Sequence, residues 1–399
     1  MEHPKKLLAL DILRGLACLL VWMSHLRVAT AYFEASKYNF LQVFLAWGRE
    51  AVVVFFVLSG LVINMATVNK TDRLEYFRKR FLRIYPIFLI VLIICYATDF
   101  FVFNDPIHFG YLIGNVFLLG MWPQFLVPTL PHDTAAWSVA CEAFFYLVFG
   151  LAYTTNRRKA IWIWLTISFS SIVFSLFSDP HTGLIYQLLH LTNSSFPWLI
   201  GFLIYEYRDR FSASAQVAAC GVLMIPLITR LTMLPGNYRQ ACYDIEGFYL
   251  VPLFVYILSR HQTKANRAAT LNIKHIYFMP VYLLNVWLLW QYSDSLTISK
   301  ALYSVVPVFS LVLYSSQVKN LLRMIYYRIR RLILFIAGIS YPLYLIHMPV
   351  MYLVFHFIPG QKTLGMLLIV LITISVSYLF ELYLFRKLLD FVKQRSKTP

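Results

Sequence analysis

A membrane-length apolar segment near the start of the chain carries three ionisable residues. Residues 10–25 read LDILRGLACLLVWMSH and include Asp11, Arg14 and His25. An ionisable side chain inside a membrane helix is costly, so it usually faces the protein interior and marks a pathway or a reaction site. At about 100° and 1.5 Å per residue, Arg14 and His25 project from nearly one face and lie roughly 16 Å apart along the helix axis. The segment therefore predicts a spanning helix with a cation near one membrane surface and a base near the other.

The rest of the chain also has the composition of a membrane protein. Of its 399 residues, 60% are hydrophobic and only 13% are charged, and a soluble protein could not cover its surface with so few polar groups. Apolar runs of spanning length predict an all-α, polytopic membrane bundle of about 10–12 transmembrane helices. The candidate spans are 7–29, 41–67, 84–103, 137–153, 160–177, 187–205, 213–229, 248–259, 276–292, 301–316, 332–355 and 364–385. We expect residues 1–399 to form a single membrane domain with no appended soluble domain, ending in a short basic tail at 385–399.

The distribution of charge predicts the orientation of the bundle. The net charge is +17, from 35 Lys and Arg against 18 Asp and Glu, which in a soluble protein would suggest nucleic acid as a partner. Here most of the basic residues fall in alternate connecting segments, beginning with Lys5 and Lys6 and including 70–83 and 319–331. Positively charged segments stay on the cytoplasmic side. We therefore expect both termini in the cytoplasm and no nucleic acid partner.

One basic cluster, at residues 78–83, permits two interpretations. It reads RKRFLR at the cytoplasmic edge of the third candidate span. Such clusters commonly anchor helix ends and attract anionic lipid headgroups. Alternatively, Arg80 and Arg83 lie at i and i+3 on one helical face, and the planar fork of arginine suits phosphate groups. The second interpretation predicts a nucleotide-bearing donor, such as a coenzyme A thioester, bound near Arg14.

Three further groups are predicted at the opposite depth of the membrane. Glu142 lies in AAWSVACEAFFYL near the outer end of its span, where His25 also ends its helix, and His347 lies in GISYPLYLIHMPV two turns beyond Ser340. A single histidine near a helix end is commonly an interfacial residue. Together, however, the three suggest a reaction site in which Glu142 holds the imidazole of His25 in a defined tautomer. His25 would then act as general base toward a sugar hydroxyl.

These motifs resemble the acyltransferase-3 family of integral membrane O-acyltransferases. The resemblance rests on the Arg14 and His25 pair, on FFVLSG at 55–60, FRKRFLRIYP at 77–86, WSVACEAFFYL at 137–147 and ISYPLYLIH at 339–347. It implies an acyl donor, usually acetyl coenzyme A (acetyl-CoA) on the cytoplasmic side, and acylation of a hydroxyl. It also implies that His25 is the catalytic base or transient acyl acceptor, with Arg14 handling the donor. The chain departs from the family pattern at 51–53, where Ala-Val-Val replaces the usual Gly-Val-Asp.

The sequence thus predicts a membrane O-acyltransferase of the bacterial inner membrane that moves an acetyl group from acetyl-CoA to an envelope polysaccharide, lipopolysaccharide or lipid-linked sugar. The five cysteines have no metal-ligand spacing, so we expect no metal. A multi-span transporter or flippase for an envelope glycan or lipid precursor is the alternative, and a non-catalytic export partner is a third. The predicted catalytic residues are His25, Glu142 and His347, and the predicted donor-binding residues are Arg14, Arg80, Arg83 and Ser59.

Overall fold

In a computed structural model of the protein, the described residues are 8–31, 47–68, 72–120, 127–152, 157–177, 183–222, 244–260, 271–273, 316–359, 361–385 and 387. These residues form an almost entirely helical bundle, with a single pair of two-residue parallel strands described at its edge. The helices are α1 Leu8–Ala31, α2 Gly48–Thr67, α3 Arg73–Phe101, α4 Phe109–Val116, α5 Trp137–Ala152, α6 Arg157–Phe177, α7 Gly183–Glu206, α8 Val251–Ser259, α9 Ser316–Gly338, α10 Ser340–Phe357 and α11 Lys362–Leu379. The strands are β1 Phe211–Ser212 and β2 Leu271–Asn272, and a π-helical turn, Phe380–Phe385, continues α11.

The prediction of an all-α, polytopic membrane bundle is confirmed. Among the described residues, six helices are long and apolar enough to cross a membrane, and a bent pair raises the number to seven if it counts as one span. The predicted span 276–292 lies outside the described residues, as does 301–316 except for Ser316. Of the predicted span 213–229, residues 213–222 are described, and 215–222 are helical. The cytoplasmic location of the termini stays a prediction.

Two predicted boundaries were wrong, and both errors concern the basic segments 70–83 and 319–331. Helix α3 begins at Arg73 rather than near residue 84, because Asp72 caps it by accepting a hydrogen bond from the Glu75 backbone N–H at 3.1 Å. The predicted span 332–355 is two helices, α9 and α10, which meet at an angle of 79°. Pro342 explains the break, since proline has no N–H to give the Gly338 carbonyl and its ring would collide with that carbonyl in a continuous helix. The basic segment 319–331 is therefore part of helix α9 and not a loop.

Close contact between α2 and α7 forms the centre of the bundle. A Cβ atom on Gly60 would lie 1.9 Å from the Trp198 carbonyl oxygen, and one on Gly201 would lie 2.0 Å from the Val57 carbonyl oxygen. Small residues allow helix backbones to approach in this way when both helices are in a membrane. Trp198 is fully buried beside this contact. Helices α1, α5 and α10 pack around this pair and enclose the cavity described next.

Candidate active site

A cavity of about 700 Å³ lies between α1, α2, α3, α5, α9, α10 and the π-helical turn. Five of the seven predicted site residues line it: Arg14, Ser59, Arg80, Arg83 and Glu142. Its other polar lining residues include Asp11, Ser138, Tyr146, Ser340, Tyr341, Tyr344 and Glu381. A volume of this size is within the usual range for small-molecule sites, which hold a few polar groups on mostly apolar walls.

Two of the three arginines in the cavity are paired with carboxylates. The Arg14 Nη1 atom is 3.0 Å from Asp11 Oδ1, one turn earlier on α1. The Arg83 Nη1 atom is 3.0 Å from Glu381 Oε1, and the Arg83 guanidinium lies 5.8 Å from the centre of the Tyr341 ring. Glu381 lies in the π-helical turn, a local geometry that is frequent at functional sites. Arg83 is half-buried and lines the cavity, and Glu381 balances its charge.

Arg80 makes a different set of contacts. Its guanidinium lies 5.5 Å from the centre of the Tyr146 ring and 5.8 Å from that of Tyr76. Its buried Nε atom has no hydrogen-bond partner among the described residues. Aromatic faces attract a guanidinium but do not accept its planar N–H groups as an oxyanion does. Arg80 therefore retains donor groups for an anionic ligand.

Glu142 belongs to a chain of hydrogen bonds along one wall of the cavity. The Tyr146 hydroxyl donates to Glu142 Oε1 at 2.5 Å and lies 2.9 Å from Ser59 Oγ, which accepts a hydrogen bond from Trp198 Nε1 at 3.2 Å. Tyr146 follows Glu142 by four residues on α5, so both side chains lie on one face. Glu142 and His25, both among the described residues, do not form the predicted hydrogen bond. Glu142 accepts a hydrogen bond from Tyr146 instead. The proposed pairing is thus corrected.

His25 pairs with the other predicted histidine. The His25 Nδ1 atom is 2.9 Å from His347 Nε2, and the His347 Nδ1 atom is 3.2 Å from the Leu343 carbonyl oxygen. Because a carbonyl can only accept, His347 donates from Nδ1 and its neutral ring then has a lone pair at Nε2. His25 in turn donates from Nδ1 and keeps its lone pair at Nε2. Fully buried His347 therefore fixes the tautomer that a base at His25 Nε2 requires.

Tyr344 separates the histidine pair from the cavity. Its ring lies 6.1 Å from the His347 ring, one turn away on α10, and it also lines the cavity. The Tyr344 hydroxyl is held 2.7 Å from Ser138 Oγ and donates to the Ala135 carbonyl at 3.0 Å. Between Arg14 and His25 on α1, Cys18 Sγ contacts the Ser340 carbonyl oxygen of α10 at 3.4 Å. The histidine pair therefore lies beside the cavity that Arg14, Arg80 and Arg83 line, with Tyr344 between them.

Sequence reasoning did not identify Tyr146 or Glu381 as site residues. A single acidic residue near the end of the apolar span 364–385 was a usable signal for Glu381, because such a residue needs a buried partner. Tyr146 carries no comparable signal, since tyrosines are common in this chain. Among the described residues, no group of three or more His, Cys, Asp or Glu side chains could hold a metal ion.

Comparisons with known proteins show the family of the chain. A family model described as an acyltransferase domain matches residues 7–382. The acyltransferase MdmB of Streptomyces mycarofaciens is 30% identical over 165 residues, which are 39% of this chain and 42% of MdmB. The O-acetyltransferase OatA of Staphylococcus aureus strain MRSA252 is 27% identical over 300 residues, which are 65% of this chain and 46% of OatA. The chain therefore spans less than half the length of these curated relatives. No solved structure matches it.

Proposed function

The chain belongs to the acyltransferase family whose domain covers residues 7–382, and on that premise we propose that it is a membrane O-acyltransferase. The proposed donor is acetyl-CoA on the cytoplasmic side of a bacterial inner membrane. The proposed acceptor is a hydroxyl of an envelope polysaccharide or lipid-linked sugar. The observation that carries the proposal is a cavity lined by three arginines, here called the arginine level, beside a pair of hydrogen-bonded histidines, here called the histidine level.

The arginine level suits the phosphates of the donor. Arg80 has unused donor groups, and the carboxylates on Arg14 and Arg83 hold those cations in the cavity until phosphate oxygens replace them. Arginine forms bidentate hydrogen bonds with phosphate, which are stronger than neutral ones. Ser59, on the same wall as Arg80, supplies a hydroxyl toward the thioester arm. The thioester arm of a donor bound at Arg14 has roughly 16 Å to cover along α1 before it reaches His25.

The histidine level suits acyl transfer to a hydroxyl. His25 Nε2 takes the proton of the acceptor hydroxyl while the oxygen of that hydroxyl attacks the thioester carbonyl. The new C–O bond forms, the C–S bond breaks, and the departing thiolate receives the proton from His25. Throughout this step the His25 Nδ1–H donates to His347 Nε2, which stabilises the transient imidazolium. In an alternative route His25 Nε2 attacks the carbonyl itself, the C–S bond breaks and the thiolate leaves. The acceptor oxygen then takes the acyl group as the N–C bond breaks, and the hydroxyl proton goes to the thiolate. Both routes need the same tautomer.

Glu142 takes a positioning role in this proposal. Through Tyr146 it orients the aromatic face beneath Arg80 and the hydroxyl of Ser59. It thereby connects the donor-binding arginine to the middle of the cavity. This role differs from the one predicted from sequence, where Glu142 was paired with His25.

Transfer of label from radioactive acetyl-CoA to envelope glycans tests the proposal. Membranes would contain equal amounts of the wild type, His25→Ala or Arg14→Ala, with His108→Ala and Arg260→Ala as controls, since both control residues are exposed and lie outside the cavity. We expect transfer in the wild type and controls and its loss in the first two variants. Label incorporation that is unchanged in His25→Ala and Arg14→Ala would contradict the proposal and favour the transporter alternative.

A further inference from the structure

Helix α9 is amphipathic, and one of its faces is basic. At about 100° per residue, Arg323, Tyr327, Arg330 and Arg331 fall within an arc of about 100°. The helix sequence, SQVKNLLRMIYYRIRRLILFIAG, contains no acidic residue. The Arg323 and Arg331 side chains are exposed. This face therefore has a concentrated positive charge with no carboxylate of its own helix to balance it.

The opposite face of α9 is apolar and is also exposed over the first part of the helix. Ile325, Ile329 and Leu332 fall on that face and are 41%, 39% and 57% exposed. Further along, the same face becomes buried, and Ile336 packs with Cys18 and Trp22 of α1. If α9 lay in water, these large apolar side chains would be exposed to solvent. A helix with one apolar face and one basic face instead fits the boundary between acyl chains and headgroups.

The direction of α9 agrees with that location. It meets α10 at 79°, and transmembrane helices are tilted by about 20° on average from the membrane normal. If α10 crosses the membrane at such a tilt, α9 runs close to the membrane plane. The basic face can then point to the headgroups while the apolar face points to the acyl chains.

We propose that α9 is a membrane-surface helix that binds anionic phospholipid headgroups through Arg323, Arg330 and Arg331. Anionic phospholipid is the partner because the face carries three arginines and no acidic residue and because apolar side chains on the opposite face enter the bilayer. The proposal goes beyond acyl transfer and does not depend on it. Helix α9 would also connect the membrane surface to the cavity, because Ala337 and Gly338 at its end line the cavity wall.

Site-directed spin labelling of the full-length protein tests the placement of α9. Ile329→Cys and Tyr327→Cys each provide one labelling site on opposite faces, in a chain that also carries Cys242→Ser; the other four cysteines are buried. In bilayers of phosphatidylcholine and phosphatidylglycerol, we expect the label at 329 to collide mainly with oxygen and the label at 327 mainly with a water-soluble nickel complex. Aqueous collision at both positions would overturn the proposal, as would shielding of both labels from both reagents, which would indicate a covering protein or second copy.

Charge variants test the lipid class. We expect native mass spectrometry to show a preference for phosphatidylglycerol over phosphatidylcholine that falls on the order of fivefold for each α9 arginine neutralised. A matched control removes the same charge from exposed cations elsewhere on the basic side of the bundle. An unchanged preference in the α9 variant, or an equal loss in the control, would overturn the proposal. The α9 variant is Arg323→Gln, Arg330→Gln, Arg331→Gln, and the control is Lys159→Gln, Arg210→Gln, Arg260→Gln, three exposed residues outside the 78–83 cluster.

Discussion

Replacement of His347 by alanine removes the hydrogen-bond partner of the proposed base without touching the arginine level. In the wild type, His25 Nδ1 lies 2.9 Å from His347 Nε2. When His25 Nε2 takes a proton, this contact becomes a charge-assisted hydrogen bond, and such a bond contributes about 1.5–3 kcal/mol. Because each 1.36 kcal/mol changes a rate tenfold, we expect the rate at saturating donor to fall by about 10- to 150-fold.

The assay separates this effect from donor binding and from loss of folding. We expect the acetyl-CoA concentration at half-maximal rate to stay unchanged, since Arg14 lies roughly 16 Å away along α1 and Arg80 and Arg83 lie on another helix. His347→Gln should restore part of the rate, because a glutamine oxygen can accept a hydrogen bond near the former Nε2 position. Met351→Ala creates a cavity on the same helix at another buried position and should retain a near-normal rate in folded protein. A folded His347→Ala variant with the wild-type rate would refute the reasoning.

Two other substitutions test the donor level and the helix packing. Arg83→Ala removes the partner of Glu381. We expect the acetyl-CoA concentration at half-maximal rate to rise on the order of tenfold, because a charged hydrogen bond worth about 1.5 kcal/mol is lost. An unchanged concentration would argue against a role of Arg83 in donor binding. Gly60→Ala places a Cβ atom against the Trp198 carbonyl oxygen, and we expect a loss of about 1–3 kcal/mol of stability. Gly110→Ala is the control because no atom lies within 4 Å of its added Cβ. Equal thermal stability of the two alanine variants, measured in detergent, would contradict the packing argument.

The sequence identified the ionisable groups of the site better than their arrangement, because Glu142 was predicted at the depth of His25 and instead lines the cavity with Arg14, Arg80 and Arg83. Helical rise gives the separation of two residues on one helix, so the distance between Arg14 and His25 could be read from position alone. Depth does not say which way a neighbouring helix turns its side chains. Glu142 faces Tyr146 while His25 faces His347, and that choice depends on how α5 and α10 are rotated against α1. Only contacts between residues far apart in sequence determine those rotations.

The bend between α9 and α10 could not be predicted from hydropathy. Hydropathy continues through residues 332–355, so a window that averages apolar character predicts one span. Pro342 was a visible signal of a break, yet prolines also occur inside straight parts of this bundle, as Pro349 does within α10. The bend places Ser340 at the start of a new helix, where its carbonyl oxygen meets Cys18. Without the break, α10 could not bring His347 to His25.

The ion pairs in the cavity have a consequence for how a charged donor binds. Arg14 and Arg83 are paired with carboxylates, so the cavity does not hold three uncompensated cations in a low-dielectric environment. A phosphate that enters must compete with Asp11 and Glu381 for those two arginines, whereas Arg80 offers its guanidinium without such competition. The proposed donor would therefore meet Arg80 first and exchange the two ion pairs afterwards. This order makes Arg80 the main determinant of initial affinity, and it makes Asp11 and Glu381 the groups that the donor phosphates must displace from Arg14 and Arg83.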